Sequence, residues 1–356
     1  APYQYATQNR MVTAADYSSL ILRNYSTLIS DIASWGGQDA LKPEFGAVYT
    51  SILFESTVSK ETQTNTKNAI LDLAAQLAVV SFNLRFIEPI TTFVEVDTFF
   101  QFNPKMTDST LNTIKSSVSS AISSYFAANT GKFKQAFRKS NMLTDIDVSS
   151  PAILSSRSNV RMQQRFTPSA PSLVVVIKDL ATVTLTNDQL NAILEFTADR
   201  AFLSASNYMI SGGLTNNTSS YIIDTLSTAK NNISQQLLFP VTIAAADDDE
   251  YIITSNEFTF KAQTCVIRNK LSSTALQIVT SAGNNVITDD IGNFQPISGI
   301  VTINYFNPTS ISKNQTQIKL AAVPANQSVI DPTRNERIVF DPDRSVVTTV
   351  LTEAYN

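Results

Sequence analysis

Between Thr13 and Phe166 the hydrophobic rhythm switches repeatedly between the helical period and the strand period, which restricts the chain to folds that mix both element types. Tyr17, Leu20, Ile21 and Tyr25 recur at helical spacing behind Thr13, an N-cap residue with Asp16 as its reciprocal partner three positions on. A second helix is expected behind Ser59, with Ala69, Ile70, Leu73, Ala74, Leu77 and Ala78 as its apolar stripe. A third follows on Leu111, Ile114, Val118, Ala121, Ile122 and Tyr125, its opposite face made mostly of serine. Runs rich in β-branched and aromatic residues lie between them, at 28–35, 47–54, 90–102 and 153–166, and predict strands. Residues 132–142 read as a further short helix. The pattern amounts to strand-helix-strand units on a mixed sheet.

Beyond Pro168 the rhythm changes. Residues 173–177 predict a strand, and Thr186 with Gln189 three residues later marks a helix start. After Pro240 short strands separated by turn clusters dominate, at 241–245, 251–254, 257–262, 264–269, 275–280, 286–288, 299–306 and 317–322. The fold class is therefore α+β, with a β-rich C-terminal module. The expected organisation is an α/β region over 1–166, a mixed helical connecting region over 167–236 and the β-rich module over 237–356.

The chemistry available to the chain is narrow. It contains no histidine, which removes the usual base near neutral pH and excludes Ser-His-Asp and Cys-His catalysis within one chain. Cys265 is the only cysteine, so internal disulfides and cysteine-based metal clusters are excluded; in an expected strand it reads as a buried structural thiol. The nine glycines form no phosphate-binding loop, and no cofactor is expected. The one catalytic reading left is glycoside hydrolysis by paired acids, for which Glu88, Glu95 and Asp97 are candidates by proximity. Glu95 and Asp97 would share one strand face, however, and no aromatic sugar platform surrounds a defined cleft, so the expectation is a non-enzymatic protein. The acidic runs Asp247-Asp248-Asp249-Glu250 and Asp289-Asp290 read as solvated hairpin tips rather than cation sites, lacking the spaced geometry of a calcium loop.

The formal net charge is -4, and charged residues make up 16% of the chain, against roughly a quarter in average proteins. Nucleic acid is not an expected partner, and no apolar run reaches the roughly 18–20 residues of a membrane span. Polarity resides in Ser, Thr, Asn and Gln, which suit either an ordinary polar surface or one buried against other proteins. Candidate interface residues are Arg138 and Lys139 in a basic group with Lys132 and Lys134, the arginine face Arg157, Arg161 and Arg165 of the strand at 153–166, and the aromatics Tyr305 and Phe306. Val160, Met162 and Phe166 should occupy the opposite face of that strand. For the basic groups, an exposed face that needs no partner is the competing reading.

Arg10-Met11-Val12-Thr13-Ala14-Ala15-Asp16-Tyr17, followed by Ala33-Ser34-Trp35-Gly36-Gly37 and then by Pro43-Glu44-Phe45-Gly46-Ala47-Val48-Tyr49, resembles the baseplate J-like family of contractile-tailed phages, in particular the wedge components of the T-even phages. That family opens a helix with Val-Thr-x-x-Asp-Tyr and follows it with a strand, a Pro/Gly bend and a Val-rich strand. Here Glu44 and Phe45 separate a Pro and a Gly that are commonly adjacent. The motif covers residues 10–55, and the element order extends the likeness to about residue 165. The resemblance implies a structural subunit of the tail baseplate wedge, assembled in the host cytoplasm and found in the virion. It also implies several copies that contact one another, as a dimer or higher ring, and contact other wedge proteins. A chain starting at Ala1 fits a C-terminal piece of such a protein. The alternative is a receptor-binding or fibre-like tail protein, favoured by the β-rich second half and opposed by the long amphipathic helices before residue 145.

Overall fold

The computed structural model describes residues 10–39, 43–78, 83–168, 174–177, 183–184, 208–210, 221–225, 235–304, 308–312 and 315–351. The chain forms two compact units: the first comprises Ala1–Met162 with Asn326–Asn356, the second Gln163–Ala325.

The first unit opens with α1 (Ala14–Asn24), and its cap is the one the sequence predicts. The Thr13 hydroxyl accepts from the Asp16 N–H at 3.3 Å, while the Asp16 carboxylate accepts from the Thr13 N–H at 2.7 Å. Tyr17, Leu20 and Ile21 are buried against β1 (Ile29–Gly36) and β2 (Ala47–Phe54), an antiparallel pair. The turn out of β1 needs glycine, because a Cβ on Gly37 would lie 2.1 Å from the Glu44 carbonyl oxygen. Helix α2 (Lys60–Leu77), capped by Ser59, carries the chain across the sheet so that β3 (Asn83–Phe86) runs parallel to β2. Ile70 and Ala74 of α2 complete the core formed with Ile29, Val48 and Ile52.

The second strand-helix-strand passage lies on a different sheet. It runs through β4 (Ile90–Phe102), α3 (Leu111–Asn129), β5 (Phe137–Arg138), α4 (Lys139–Val148) and β6 (Ile153–Phe166), with β4 and β6 neighbours. Helix α3 buries Ile114, Val118, Ile122, Tyr125 and Phe126. On its opposite face Ser117, Ser119 and Ser123 donate to carbonyls four residues back, so the serines satisfy themselves within the helix. The helix expected at 132–142 starts later, at Lys139. Lys134 takes a φ of 62°, and Phe137–Arg138 are drawn out as a strand whose Arg138 N–H and carbonyl both bond to the Tyr125 hydroxyl, at 2.8 and 2.9 Å.

The boundary between the units falls within β6, after Met162. In the second unit β7 (Val174–Ile177), β8 (Val183–Thr184), β9 (Tyr208–Ile210) and β10 (Tyr221–Thr225) form an antiparallel sheet in the order β8-β7-β10-β9. The helix expected from Thr186 lies outside the described residues. The β-rich part continues with β11 (Gln235–Leu238), β12 (Ile253–Ser255), β13 (Phe258–Phe260), β14 (Gln263–Asn269), β15 (Ala275–Thr280), β16 (Val286–Gln295), β17 (Ile300–Ile303), β18 (Ser310–Ile311) and β19 (Ile318–Ala322). Its strand order is β11-β17-β16-β15-β14-β12-β19, with β13 pairing β14 and β18. Phe258, Cys265, Ile267, Ile278, Phe294 and Val301 are buried there. The Cys265 thiol is pushed above its ordinary pKa by that burial, as a structural cysteine should be. Residues 241–245, expected as a strand, contribute a single bridge from Ile243 to Pro324. Strand β16 is longer than expected because it continues through Gly292, where φ is +139° and a Cβ would meet the Thr302 carbonyl oxygen at 2.0 Å.

The chain then returns to the first unit. Strand β20 (Val329–Ile330) pairs with β5, and β21 (Glu336–Phe340) and β22 (Val346–Leu351) both run parallel to β4. Glu336 sits opposite Ile90 and Val346 opposite Asp97, so the two short strands follow one another along the 13-residue β4. A 3-10 turn at Pro342–Arg344 separates them and is stitched to β4 on both sides: the Asp341 N–H donates to the Val94 carbonyl, and the Val96 N–H donates to the Ser345 hydroxyl, each at 3.0 Å. Residues 326–351, expected to extend the β-rich module, thus belong with the N-terminal region. A long strand such as β4 leaves two ladders of backbone groups to satisfy, and β6 occupies only one of them.

Candidate functional site

Strand β4 carries two of the three candidate acids, Glu95 and Asp97. Glu95 and Asp97 alternate along it and point to one face, as the period of two requires. Glu95 is buried, and Arg344 reaches it from the 3-10 turn at 2.7 Å. Burial raises the Asp97 pKa, and the cationic Arg161 and Arg344 oppose that rise. Glu336, at the head of β21, is buried as well, and its carboxylate accepts from the Thr92 hydroxyl and from the Thr333 N–H and hydroxyl at 3.1 and 3.0 Å. Desolvation still raises its pKa, against the pull of those donors. Glu88 is exposed and ion-paired with Lys67. Of the acids that a hydrolase would need, Glu88 and Glu95 are thus ion-paired within the same unit, and Asp97 lies in the field of Arg161 and Arg344.

The candidate interface residues divide into groups. Arg157 is exposed, with its guanidinium 5.1 Å from the centre of the Phe99 ring. Arg161 is half-buried and acts on Asp97. Arg165, in the part of β6 that belongs to the second unit, donates to the Gln163 side chain at 2.7 Å. Val160, Met162 and Phe166 are buried as predicted, although Gln163 on the arginine face is buried too, and the arginines engage their own chain. Arg138 is exposed, whereas burial depresses the Lys139 ammonium pKa at the start of α4. Tyr305 and Phe306 lie outside the described residues. In the acidic run Asp249 donates its N–H to the Asp247 carboxylate at 2.8 Å, and Asp289 pairs with Lys270 at 3.0 Å. Among the described residues no cluster of three metal-ligating side chains occurs.

Sequence reasoning did not find the surface between α3 and α4. An open groove of about 440 Å³ lies there, lined by Ala121, Ser124, Tyr125, Ala128, Asn129, Asp145, Val148 and Ser149, and Val148 is 79% exposed at its rim. The available signal was the small-residue face of α3, which carries a single charged residue, Lys115. Such a face allows close approach of another surface without desolvating ions.

Residues 91–165, which span nearly all of β4 to β6 with α3, β5 and α4, match the family described as baseplate structural protein gp6, C-terminal domain III. No curated protein matches the chain. Among the described residues no helix is long and apolar enough to cross a membrane. The matched segment is the one that carries Glu95, Asp97, the exposed Arg157 and the α3–α4 groove, and its likeness supports a structural role in a phage tail baseplate.

Proposed function

We propose that the chain is a structural subunit of the baseplate wedge, which associates with copies of itself and with neighbouring wedge proteins to build the ring around the tail hub. The likeness of residues 91–165 to a baseplate structural domain carries this reading. The resemblance of residues 10–55 to the J-like family is a second line of support, because it lies outside that segment. The surfaces are of the right kind: α3 offers an almost uncharged outer face, and Arg157 stands exposed above Phe99. Catalysis has no part in this reading: Glu88 and Glu95 are held in ion pairs with Lys67 and Arg344. Native mass spectrometry of the chain mixed with the other tail proteins of its phage tests the proposal. A complex with wedge proteins that holds more than one copy of the chain is expected. Retention only in fibre complexes, or binding only to host-surface polysaccharide, overturns it.

A further inference from the structure

The β-rich part of the second unit buries a cation. Along β14 the side chains of Cys265, Ile267 and Asn269 alternate to one face, so Arg268 stands on the other. It is only 9% exposed. Its guanidinium lies 4.1 Å from the centre of the Tyr251 ring, and its Nη1 donates to Asn284 Oδ1 at 2.7 Å. Asn284 reaches it from the turn between β15 and β16, where a φ of 59° suits asparagine. The Arg268 Nε is buried and finds no acceptor, and among the described residues no carboxylate pairs with this guanidinium. Gln277 lies directly across the ladder on β15. It is 7% exposed, and its side-chain amide makes no hydrogen bond among the described residues. Burying a guanidinium is costly until its donors and its charge are matched, and Tyr251 and Asn284 supply only part of that match.

We propose that Arg268 and Gln277 form a seat for a carboxylate group. With Nη1 used by Asn284, the edge that remains is the planar fork of Nε and Nη2, whose spacing matches the two oxygens of a carboxylate. The Gln277 amide beside it can add a further donor. Charge favours a carboxylate over phosphate: one guanidinium balances one carboxylate, whereas the acidic run Asp247-Asp248-Asp249-Glu250 leads straight into Tyr251 and would repel a dianion. Shape points the same way. So little of Arg268 and Gln277 is exposed that a flat group fits better than a tetrahedral one. The seat does not depend on the assembly reading, because an acidic side chain of another protein and a small free acid offer the same group.

Side-chain NMR of the full chain reads the seat directly, with the Arg268 Nε–H signal assigned by its loss in Arg268→Lys. Titration with N-acetylglutamic acid α-amide at constant ionic strength is expected to move that signal saturably. Gln277→Leu should weaken this binding roughly tenfold. Should that variant fail to fold, comparison with N-acetylglutamine α-amide, which differs only in the lost carboxylate, keeps the wild-type chain decisive. Acetate separates the two sources: saturation by the glutamic acid compound alone supports a protein side chain as occupant, and saturation by both supports a seat that a free acid can fill. No saturable shift with either, an equal shift with the glutamine compound, or tighter binding of inorganic phosphate overturns the proposal.

Discussion

Replacing Arg344 by alanine isolates the contact that ties the returning C-terminal segment to β4. The Glu95 side chain is 6% exposed and that of Arg344 is 24% exposed, with 2.7 Å between Oε1 and Nε. Removing the guanidinium leaves a buried carboxylate without that partner, a change that typically costs about 3–5 kcal/mol. Because a quarter of the Arg344 side chain already meets water, the expected loss is about 2–4 kcal/mol. The reverse change, Glu95→Gln, leaves a cation that still faces Asp97 and can turn toward solvent, and should cost only about 1 kcal/mol. The double variant Glu95→Gln/Arg344→Met should lie within about 1.5 kcal/mol of the wild type, since a buried pair can often be exchanged for neutral groups at little cost. Hydrogen exchange of the β4 and β22 amides, followed alongside urea unfolding, separates this unit from the rest of the chain. Equal losses in the two single variants, or a loss below about 1 kcal/mol for Arg344→Ala, would refute the argument from burial.

Other outcomes follow from the same structure. The pKa values of Glu336 and Asp97 are raised in the folded chain, so their ionised forms weigh against folding above those values. The first unit should therefore gain stability as pH falls from neutral through the folded pKa values toward the ordinary carboxylate range, and Glu336→Gln should flatten that dependence in thermal unfolding scans. Thr13→Ala removes half of the α1 capping box and should cost about 1 kcal/mol in chemical denaturation. Arg157→Ala gives up an exposed stacking contact worth roughly 0.5–1 kcal/mol, so isothermal calorimetry with wedge proteins should register more than the folding midpoint does.

Features set by local chemistry were legible in the sequence. The Thr13 cap and the extent of the strand at 90–102 follow from side chains acting within a few residues of themselves. The inward set Val160, Met162 and Phe166 followed from simple alternation. What escaped was non-local. Glu336–Phe340 pairs with a strand almost 250 positions earlier, and neither segment carries a mark of the other. The partners of the charged residues were hidden for the same reason: Arg161 and Arg344 act on Asp97 only once β6 and the 3-10 turn have been laid beside β4. The helix expected at 132–142 was displaced by another distant partner, since pairing with β20 holds Phe137 and Arg138 extended. For the candidate site, sequence identified the arginines but not that Arg161 and Arg165 are engaged within their own units.

A cryo-electron microscopy map of the intact phage tail tests the central claim most directly. The β4–α3–α4–β6 arrangement should fit density in the baseplate, repeated in a ring around the tail hub. Density for it confined to the tail fibres, or absent from the virion, would contradict it.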